Sequence, residues 1–276
     1  MTLALAPAGS LCELRRSVAA WFLGAALLLA LTASALAEQR VTFPSSTGRS
    51  GGSATVISGY LSTPRGKGPF PAVVLLHSCL GLPSNHKAIG TRLAADGYVA
   101  LFVDDYSTRG LTQTCLVDFP QGVADAYGAL AYVASLPDVE RSRIAAVGYS
   151  QGGDTALRLA VPRLRAGYAQ SAGPAFRAVV AYYPPCANLG RARLDLPTLI
   201  LVGTLDTVTP AAMCKTLSQG QANVTLAVYP GAAHVFDDPA FADGKEMFGM
   251  HLEYDKSAAA QAAAALAAFL EAALAP

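Results

Sequence analysis

The sequence predicts an α/β fold with a mostly parallel central sheet and helices on both faces of that sheet. Short runs of apolar, mostly β-branched residues recur along the chain, and stretches with helical periodicity separate them. The runs are apolar at nearly every position, which is typical of parallel strands that are buried on both faces. The regular alternation of the two kinds of segment indicates repeated βα units around one sheet.

The predicted elements follow one another in order along the chain. A pair of antiparallel strands between residues 41 and 61 comes first. Further strands are expected at 72–76, 99–103, 144–147, 178–181, 198–202 and 225–228, and helices at 86–96, 121–135, 152–161 and 211–219. A last helix over 257–274 has Leu266, Leu270 and Leu274 on one face, so we expect it to pack on the sheet. Its many alanines suit a helix, because alanine has the highest helix propensity.

The first 37 residues have the features of a secretory signal peptide. Arg15 and Arg16 precede an apolar run over 18–31, and the small residues Ala35 and Ala37 follow that run. A membrane anchor is the alternative, but the run is shorter than the roughly 20 residues that a spanning helix needs. We therefore expect cleavage after about Ala37, export to the periplasm or out of the cell, no stable membrane anchor after cleavage, and a single domain over 38–276.

The charge of the chain limits the kinds of partner that are expected, and its cysteine count indicates the compartment. The chain has 20 basic and 19 acidic residues, and without its first 37 residues it has 18 of each. No basic tract is present, so nucleic acid and anionic lipid are not expected as partners. Cys12 lies in the predicted signal peptide, and the remaining four cysteines favour disulfides in an oxidising compartment. The sequence alone allows three pairings.

A candidate nucleophile lies in the segment Gly-Tyr-Ser-Gln-Gly at 148–152, between a predicted strand and a predicted helix. A G-x-S-x-G motif in this setting raises the serine hydroxyl above the sheet, and its glycines are needed because side chains there would collide with the turn. The N-terminus of the next helix then lies close to the negative charge that develops in acyl transfer. We predict that Ser150 is the nucleophile; the alternative is a chance loop of the same composition.

A serine nucleophile needs a base, and four histidines follow the predicted signal peptide: His77, His86, His234 and His251. His234 comes shortly after the last predicted strand, which places it at the carboxyl edge of the sheet beside the serine. His251 is the rival, in a stretch rich in methionine and aromatic residues. We favour His234 as the base.

The base needs an acceptor that holds its ring, and the chain order of serine, acid and histidine requires this acid between residues 150 and 234. Asp206 follows the strand predicted at 198–202 and is the candidate. Asp154 and Asp195 are less well placed, one inside a helix and one before a strand. The alternative for Asp206 is a helix cap or a turn residue, because a helix is expected to begin nearby.

Two backbone N–H groups are expected to stabilise the oxyanion of the tetrahedral intermediate. One belongs to Gln151, the residue after the nucleophile, and the other belongs to the loop after the third strand. We assign the second donor to Cys79, with Leu80 as a neighbouring alternative. His77, in the same loop, is interpreted as a structural residue and not as a second base.

Five segments with these features share their order and spacing with one family. They are Val-Val-Leu-Leu-His at 73–77 with Gly81, Leu-Ala-Ala-Asp-Gly-Tyr at 93–98, Gly-Tyr-Ser-Gln-Gly-Gly at 148–153, Leu-Val-Gly-Thr-Leu-Asp at 201–206 and Tyr-Pro-Gly-Ala-Ala-His at 229–234. From about residue 53 to its end the chain resembles the dienelactone hydrolase family of α/β-hydrolases. The best-known members have a cysteine nucleophile and a glutamate in the oxyanion loop, where this chain has Ser150 and Ser78. These departures weaken the assignment of a dienelactone as the substrate, and they suit the mechanism of a serine esterase.

The resemblance also implies further roles for individual residues. Arg109 is similar to a family arginine that faces a substrate carboxylate, with a solvated loop arginine as the alternative. From its place at the end of the sixth strand, and not from the resemblance, Tyr183 is expected to line the site, with simple packing as the alternative. Strands three and four are neighbours in the family's sheet order, as are strands six and seven. The implied disulfides therefore join Cys79 to Cys115 and Cys186 to Cys214.

The sequence and the resemblance together predict a hydrolase of small to medium carboxylic esters or lactones, which acts through Ser150, His234 and Asp206. The short connection between strands six and seven leaves no room for a large lid. A peptidase of the same fold and a non-catalytic binding protein are the alternatives. We expect no metal and no other cofactor, because the sequence has no metal-ligand cluster, phosphate-binding loop or dinucleotide motif.

Overall fold

The computed structural model describes residue 2 and residues 38–48, 51, 53–169 and 173–276. Residues Glu38–Pro276 form one compact unit. The predicted signal peptide and its cleavage site fall outside the described residues, apart from residue 2, and stay a prediction. Among the helices of the described segments, none has the length and apolar character needed to span a bilayer.

One sheet of eight strands runs through the described part of the chain. The strands are β1 (Gln39–Pro44), β2 (Val56–Ser62), β3 (Phe70–Leu76), β4 (Val99–Asp104), β5 (Val139–Tyr149), β6 (Ala178–Tyr182), β7 (Thr198–Gly203) and β8 (Val224–Tyr229). Their spatial order is β1-β2-β4-β3-β5-β6-β7-β8. The pairs β1/β2 and β2/β4 are antiparallel, and every later pair is parallel. The predicted α/β class, with a leading antiparallel pair and a mostly parallel sheet, is confirmed.

The helices lie close to their predicted bounds. They are α1 (His86–Ala95), α2 (Gly122–Ser135), α3 (Gln151–Leu159), α4 (Pro162–Arg165), α5 (Ala211–Ser218) and α6 (Lys256–Ala273). Two elements were not predicted: the short helix α4 and a two-stranded hairpin, β9 (Lys245–Met247) with β10 (Met250–Leu252). The predicted strand β5 was also too short. Its charged first residues extend the pairing with β3 back to Val139, which lies opposite Phe70.

The alternation of side chains along the strands divides the core into two layers. On β3, Ala72, Val74 and Leu76 face one layer, which also contains buried residues of α2 and α3. Val73 and Leu75 face the other layer, where α1 and α6 pack. Strands whose residues are apolar at every position therefore bury both faces. Leu270 and Leu274 of α6 lie in this second layer, as the apolar face of that helix predicts.

Two disulfides join loops at the carboxyl edge of the sheet. Cys79, after β3, is bonded to Cys115, after β4, with an S–S distance of 2.01 Å. Cys186, after β6, is bonded to Cys214 of α5, with an S–S distance of 2.07 Å. Both pairings implied by the family resemblance are confirmed.

Candidate active site

Ser150 lies at the sharp turn between β5 and α3, in a backbone conformation that L-amino acids rarely adopt. Its φ is 51° and its ψ is −110°. The turn is held to the neighbouring strand, because the Ser150 N–H donates a hydrogen bond of 2.9 Å to the Tyr182 carbonyl. Strained conformations of this kind are found at functional sites, where the surrounding structure holds them in place.

The two glycines of the motif are required by close backbone contacts. A Cβ added at Gly148 would lie 1.9 Å from the Gly152 carbonyl oxygen. A Cβ added at Gly152 would lie 2.2 Å from the Leu76 carbonyl oxygen on β3. Any other residue at either position would push the turn away from the sheet, so the spacing of the motif follows from the geometry of the turn.

The structure brings Ser150, His234 and Asp206 together at the carboxyl edge. His234 Nε2 lies 3.0 Å from Ser150 Oγ, and His234 Nδ1 lies 2.8 Å from Asp206 Oδ2. A carboxylate only accepts, so the ring donates from Nδ1 and its Nε2 can accept the serine proton. Asp206 and His234 are buried, with 4% and 2% of their surfaces exposed, which keeps water from competing for this contact.

Asp206 is fixed by its own turn. Its Oδ1 accepts hydrogen bonds from the N–H groups of Val208 and Thr209, at 2.9 and 2.8 Å. The Thr209 hydroxyl lies 2.7 Å from Asp206 Oδ2 and 3.4 Å from His234 Nδ1. Asp206 is therefore both a turn residue, which was the alternative prediction, and the partner of His234. Sequence reasoning missed Thr209, although an aspartate followed by Thr-Val-Thr is a signal for such a turn.

A close approach between two loops brings Asp206 to His234. A Cβ added at Gly203 would lie 2.1 Å from the Ala232 carbonyl oxygen. The same oxygen accepts a hydrogen bond of 2.9 Å from the Leu205 N–H. Because only a glycine permits this contact, the end of β7 and the histidine loop lie side by side.

The residues of the two predicted oxyanion donors, Cys79 and Gln151, are both hydrogen-bonded to Thr114. The Thr114 N–H donates to the Cys79 carbonyl at 2.8 Å, and the side chain of Gln151 bonds to Tyr106 and Thr114. Within the described residues, neither the Cys79 N–H nor the Gln151 N–H donates to another protein group. The Leu80 N–H donates to Ser78 Oγ at 3.2 Å, so this alternative donor is already engaged.

Two other histidines lie in different surroundings. His77 is buried in the loop after β3, with Nδ1 2.7 Å from the Ser78 carbonyl and Nε2 2.7 Å from Asp105 Oδ1. Burial alone lowers the pKa of His77, but its hydrogen bonds to Asp105 and Ser78, together with the charges of Asp105 and Asp104, raise the pKa above its ordinary value. His251 lies on β10 with its ring between Glu246 and Glu253 and is exposed. The structure therefore brings His234, and not His251, to the serine.

The structure pairs Arg109 with a carboxylate of the protein, and its predicted contact with a substrate stays a prediction. Its guanidinium donates to both carboxylate oxygens of Asp125, at 3.0 and 2.8 Å, and to the Asp105 carbonyl. It also lies 5.5 Å from the centre of the Phe119 ring. The Asp125 side chain is fully buried, so a substrate carboxylate would have to compete with Asp125 for the Arg109 guanidinium. Asp125, 16 positions along the chain on α2, is the partner that the sequence did not reveal.

Tyr183 packs directly against the histidine. Its ring centre lies 4.7 Å from that of His234 in an edge-on arrangement, and its hydroxyl donates a hydrogen bond of 2.6 Å to Asp237 Oδ1. Burial raises the pKa of Asp237 to about 6, partly offset by the Tyr183 hydrogen bond. Sequence reasoning missed Asp237, although the pair of aspartates three residues after His234 is a visible signal.

A cleft of about 290 Å³ lies beside these residues. Its lining includes residues next to three of the predicted site residues: Ser78 and Leu80 next to Cys79, Tyr149 next to Ser150, and Val235 next to His234. Tyr183 and Asp237 line it as well. The connection between β6 and β7 contains only the short 3-10 turn Cys186–Asn188, so no large lid covers the site. Within the described residues, no three His, Cys, Asp or Glu side chains converge as metal ligands would.

Replacing Arg109 should destabilise the protein, because Asp125 would be left buried without its partner. We expect Arg109→Ala to lower the free energy of unfolding by about 3 kcal/mol, measured by urea denaturation. Arg163→Ala, at an exposed arginine of α4, is the matched control and should cost less than about 0.5 kcal/mol. An unchanged stability with weaker binding of anionic esters alone would support the substrate role of Arg109.

The raised pKa of Asp237 predicts a pH-dependent stability difference. Since its folded pKa lies above the value of about 3.9 for an unfolded chain, wild-type stability decreases as the pH rises from about 4 through 6. Asp237→Asn still accepts from Tyr183 but does not titrate. Its stability relative to the wild type should therefore increase by on the order of 2 kcal/mol between pH 4 and pH 7.5, measured by denaturation at each pH. Asp243→Asn, at an exposed aspartate, should show no such trend; an equally flat difference for Asp237→Asn would contradict the assignment.

Comparison with known proteins identifies the family of the chain. The model of the dienelactone hydrolase family matches residues 57–274. A putative carboxymethylenebutenolidase from Synechocystis is 26% identical over 204 residues, which are 65% of this chain and 81% of that protein. Cutinase 1 from Thermobifida cellulosilytica is 26% identical over 184 residues, 64% of this chain and 61% of the cutinase.

A solved structure shares the fold. The crystal structure of a putative dienelactone hydrolase from Klebsiella pneumoniae has a TM-score of 0.64 and 20% sequence identity, and the match covers 84% of this chain and 98% of that one. With a family match over most of its length, the chain is a carboxylic ester hydrolase that belongs to the dienelactone hydrolase family.

Proposed function

We propose that the protein hydrolyses carboxylic esters or lactones of small to medium size through a triad of Ser150, His234 and Asp206. The single observation that carries the proposal is the line of contacts from Ser150 Oγ to His234 Nε2, at 3.0 Å, and from His234 Nδ1 to Asp206 Oδ2, at 2.8 Å. A hydroxyl, an imidazole and a buried carboxylate at these distances have the roles of nucleophile, base and orienting acid.

The reaction has two steps. His234 Nε2 takes the proton of Ser150 while Oγ attacks the ester carbonyl, and it returns that proton to the departing alcohol as the acyl-enzyme forms. His234 then takes a proton from water, whose oxygen attacks the acyl carbon, and returns it to Ser150 as the acid leaves. A lactone follows the same course, but its alcohol stays attached to the acyl group. Asp206 stabilises the imidazolium in both steps.

The developing oxyanion is held by backbone N–H groups. Those of Gln151 and Cys79 are the proposed donors, and both are free of other protein acceptors in the described structure. Donors that are already oriented strengthen their bonds as charge develops on the oxygen, without reorganisation of the site. The Cys79–Cys115 disulfide ties the loop that carries one of them.

The site favours an ester over a carboxylated dienelactone. Ser78 stands where the best-known family members have a glutamate, and Arg109 is occupied by Asp125. The relatives named a cutinase and a putative carboxymethylenebutenolidase support hydrolysis of esters or lactones by this chain. Export is part of the proposal, since two disulfides are typical of proteins in oxidising compartments.

Hydrolysis should depend on Ser150. With a panel of p-nitrophenyl esters and simple lactones, we expect Ser150→Ala to lower kcat by about a thousandfold or more. Ser135→Ala, at an exposed serine at the end of α2, should retain activity. A fluorophosphonate probe should label the wild type and not Ser150→Ala. A folded wild type that reacts with no ester, lactone or probe would favour a binding protein; labelling without ester hydrolysis would favour a peptidase.

The two disulfides should differ in their effect on catalysis. Because each closes a loop in the unfolded chain, replacing either pair by serines should lower the free energy of unfolding by about 2 to 4 kcal/mol. Only Cys79→Ser with Cys115→Ser should also lower kcat, by about tenfold or more, since it releases the oxyanion loop. Cys186→Ser with Cys214→Ser is the matched control. Equal kcat values at a temperature where both variants are folded would remove the link between the first disulfide and the oxyanion donor.

A further inference from the structure

A groove of about 500 Å³ runs between α1 and α6 on the face of the sheet where these two helices pack. Its walls are α1, with Ile89, and α6, with Ala259, Ala263 and Ala267; Tyr149 and Tyr182 also line it. The groove extends along α1 from Asn85 to Asp96. The 10 residues of α1 correspond to about 15 Å, so the groove is long as well as wide.

The groove exists because α6 has small side chains where it faces α1. Its alanines at 259, 263 and 267 are separated by four residues, so they lie on one face of the helix. A leucine at any of these positions would extend towards α1 and fill part of the space. The aromatic rings of Tyr149 and Tyr182 lie 4.9 Å apart between their centres and give the groove an apolar surface.

The groove adjoins the cleft near Ser150. Asn85, Ile89, Tyr149 and Asp237 line both spaces. Tyr149 is the residue directly before Ser150. An arm that extends from a carbonyl at Ser150 past Tyr149 and Asp237 would enter the groove. Binding sites for small molecules in proteins usually occupy about 300–1,000 Å³, so the groove has enough room for a substrate arm.

The charges along this path are unfavourable for an anion. Asp237 lies at the junction, and Asp238 lines the cleft next to it. The cation of the cleft, Lys245, lies 5.2 Å from the centre of the Phe241 ring. At the far end of the groove, Arg92 lies 3.7 Å from Asp96 in an exposed ion pair, with Glu271 also on the rim. An apolar, uncharged group fits the path best, because burial of a second anion beside Asp237 would be costly.

We propose that the groove between α1 and α6 binds the apolar arm of a neutral ester of medium chain length while its carbonyl lies at Ser150. This rests on the proposed ester hydrolysis and adds to it the class of substrate. The lining that the groove shares with the cleft near Ser150 favours this occupant over an unrelated partner. The protein is thereby assigned a preference for esters with one extended apolar arm over acetate esters of small alcohols.

Filling the groove tests the proposal. Ala263→Trp places a large side chain in the groove, and Ala264→Trp places the same side chain on the adjacent, exposed position outside it. Two series measure the effect: p-nitrophenyl octanoate against p-nitrophenyl acetate, for an acyl arm, and octyl acetate against ethyl acetate, for an alcohol arm. We expect Ala263→Trp to lower the long-to-short ratio of kcat/KM by about tenfold in one series, and Ala264→Trp to change neither ratio.

The outcomes separate the two proposals. If esters are hydrolysed and both ratios stay unchanged in Ala263→Trp, the groove proposal is wrong and the proposed function stands. If the wild type hydrolyses no ester, the function is wrong, and calorimetric binding of p-nitrophenyl octanoate to Ser150→Ala, with and without Ala263→Trp, still decides the groove. Weaker binding in the double variant supports it, and equal binding overturns it. If Ala263→Trp does not fold, Ala267→Phe, at a more exposed position of the same face, replaces it in both measurements.

Discussion

Ser150 leaves the sheet with a φ of 51°, and the rest of the site depends on holding this residue in place. A non-glycine residue in such a conformation costs about 1–3 kcal/mol, so the surrounding structure must supply the difference. Part of it comes from the hydrogen bond between the Ser150 N–H and the Tyr182 carbonyl. The remainder comes from close packing of the turn on β3, which is possible because Gly148 and Gly152 have no side chains. The position of the hydroxyl is therefore fixed by backbone contacts.

The carboxyl edge of the parallel sheet collects groups that are far apart in the chain. Loops after β3, β5, β7 and β8 contribute Cys79, Ser150, Asp206 and His234 in turn. Parallel strands end at one edge, so chain distance is no obstacle to their meeting. One disulfide ties the loop after β3 to the loop after β4, and the other ties the loop after β6 to α5. The close contact of Gly203 with Ala232 holds the end of β7 against the loop after β8. The positions of the four groups thus depend on contacts between loops as much as on the strands themselves.

The charged side chains close to the site pair mainly with other side chains of the protein. Arg109 is paired with buried Asp125, and buried His77 lies against Asp105. Both pairs lie near the loops after β3 and β4, where they can fix the backbone that presents Cys79. A cation already paired with a buried carboxylate gains little from a substrate anion, since it would have to leave its partner unpaired. The site therefore combines well-ordered polar loops with a cleft suited to an uncharged substrate.

Most of the fold and the residues of the proposed triad could be predicted, because short local patterns in the sequence indicate both. The G-x-S-x-G motif between a strand and a helix indicates Ser150, and chain order together with the ends of the predicted strands favours Asp206 and His234. The failures involve pairs that are distant in sequence. Nothing near Arg109 shows that Asp125, on α2, faces it, and nothing near Asp237 shows that Tyr183 donates to it. Residues with several chemically reasonable partners need the three-dimensional structure to decide among them.

The alanines of α6 show that the sequence does not reveal empty space in the structure any better than it reveals distant contacts. Helix propensity explains why alanine is common throughout this helix, and it applies equally to Ala264 on the exposed face and to Ala263 in the groove. Propensity does not distinguish these two positions, because the difference between them arises only when α6 packs beside α1. A small residue facing another helix leaves a volume empty, whereas a small residue facing water leaves nothing. The same sequence feature therefore has two physical consequences, and only the one on the inner face creates room for a ligand.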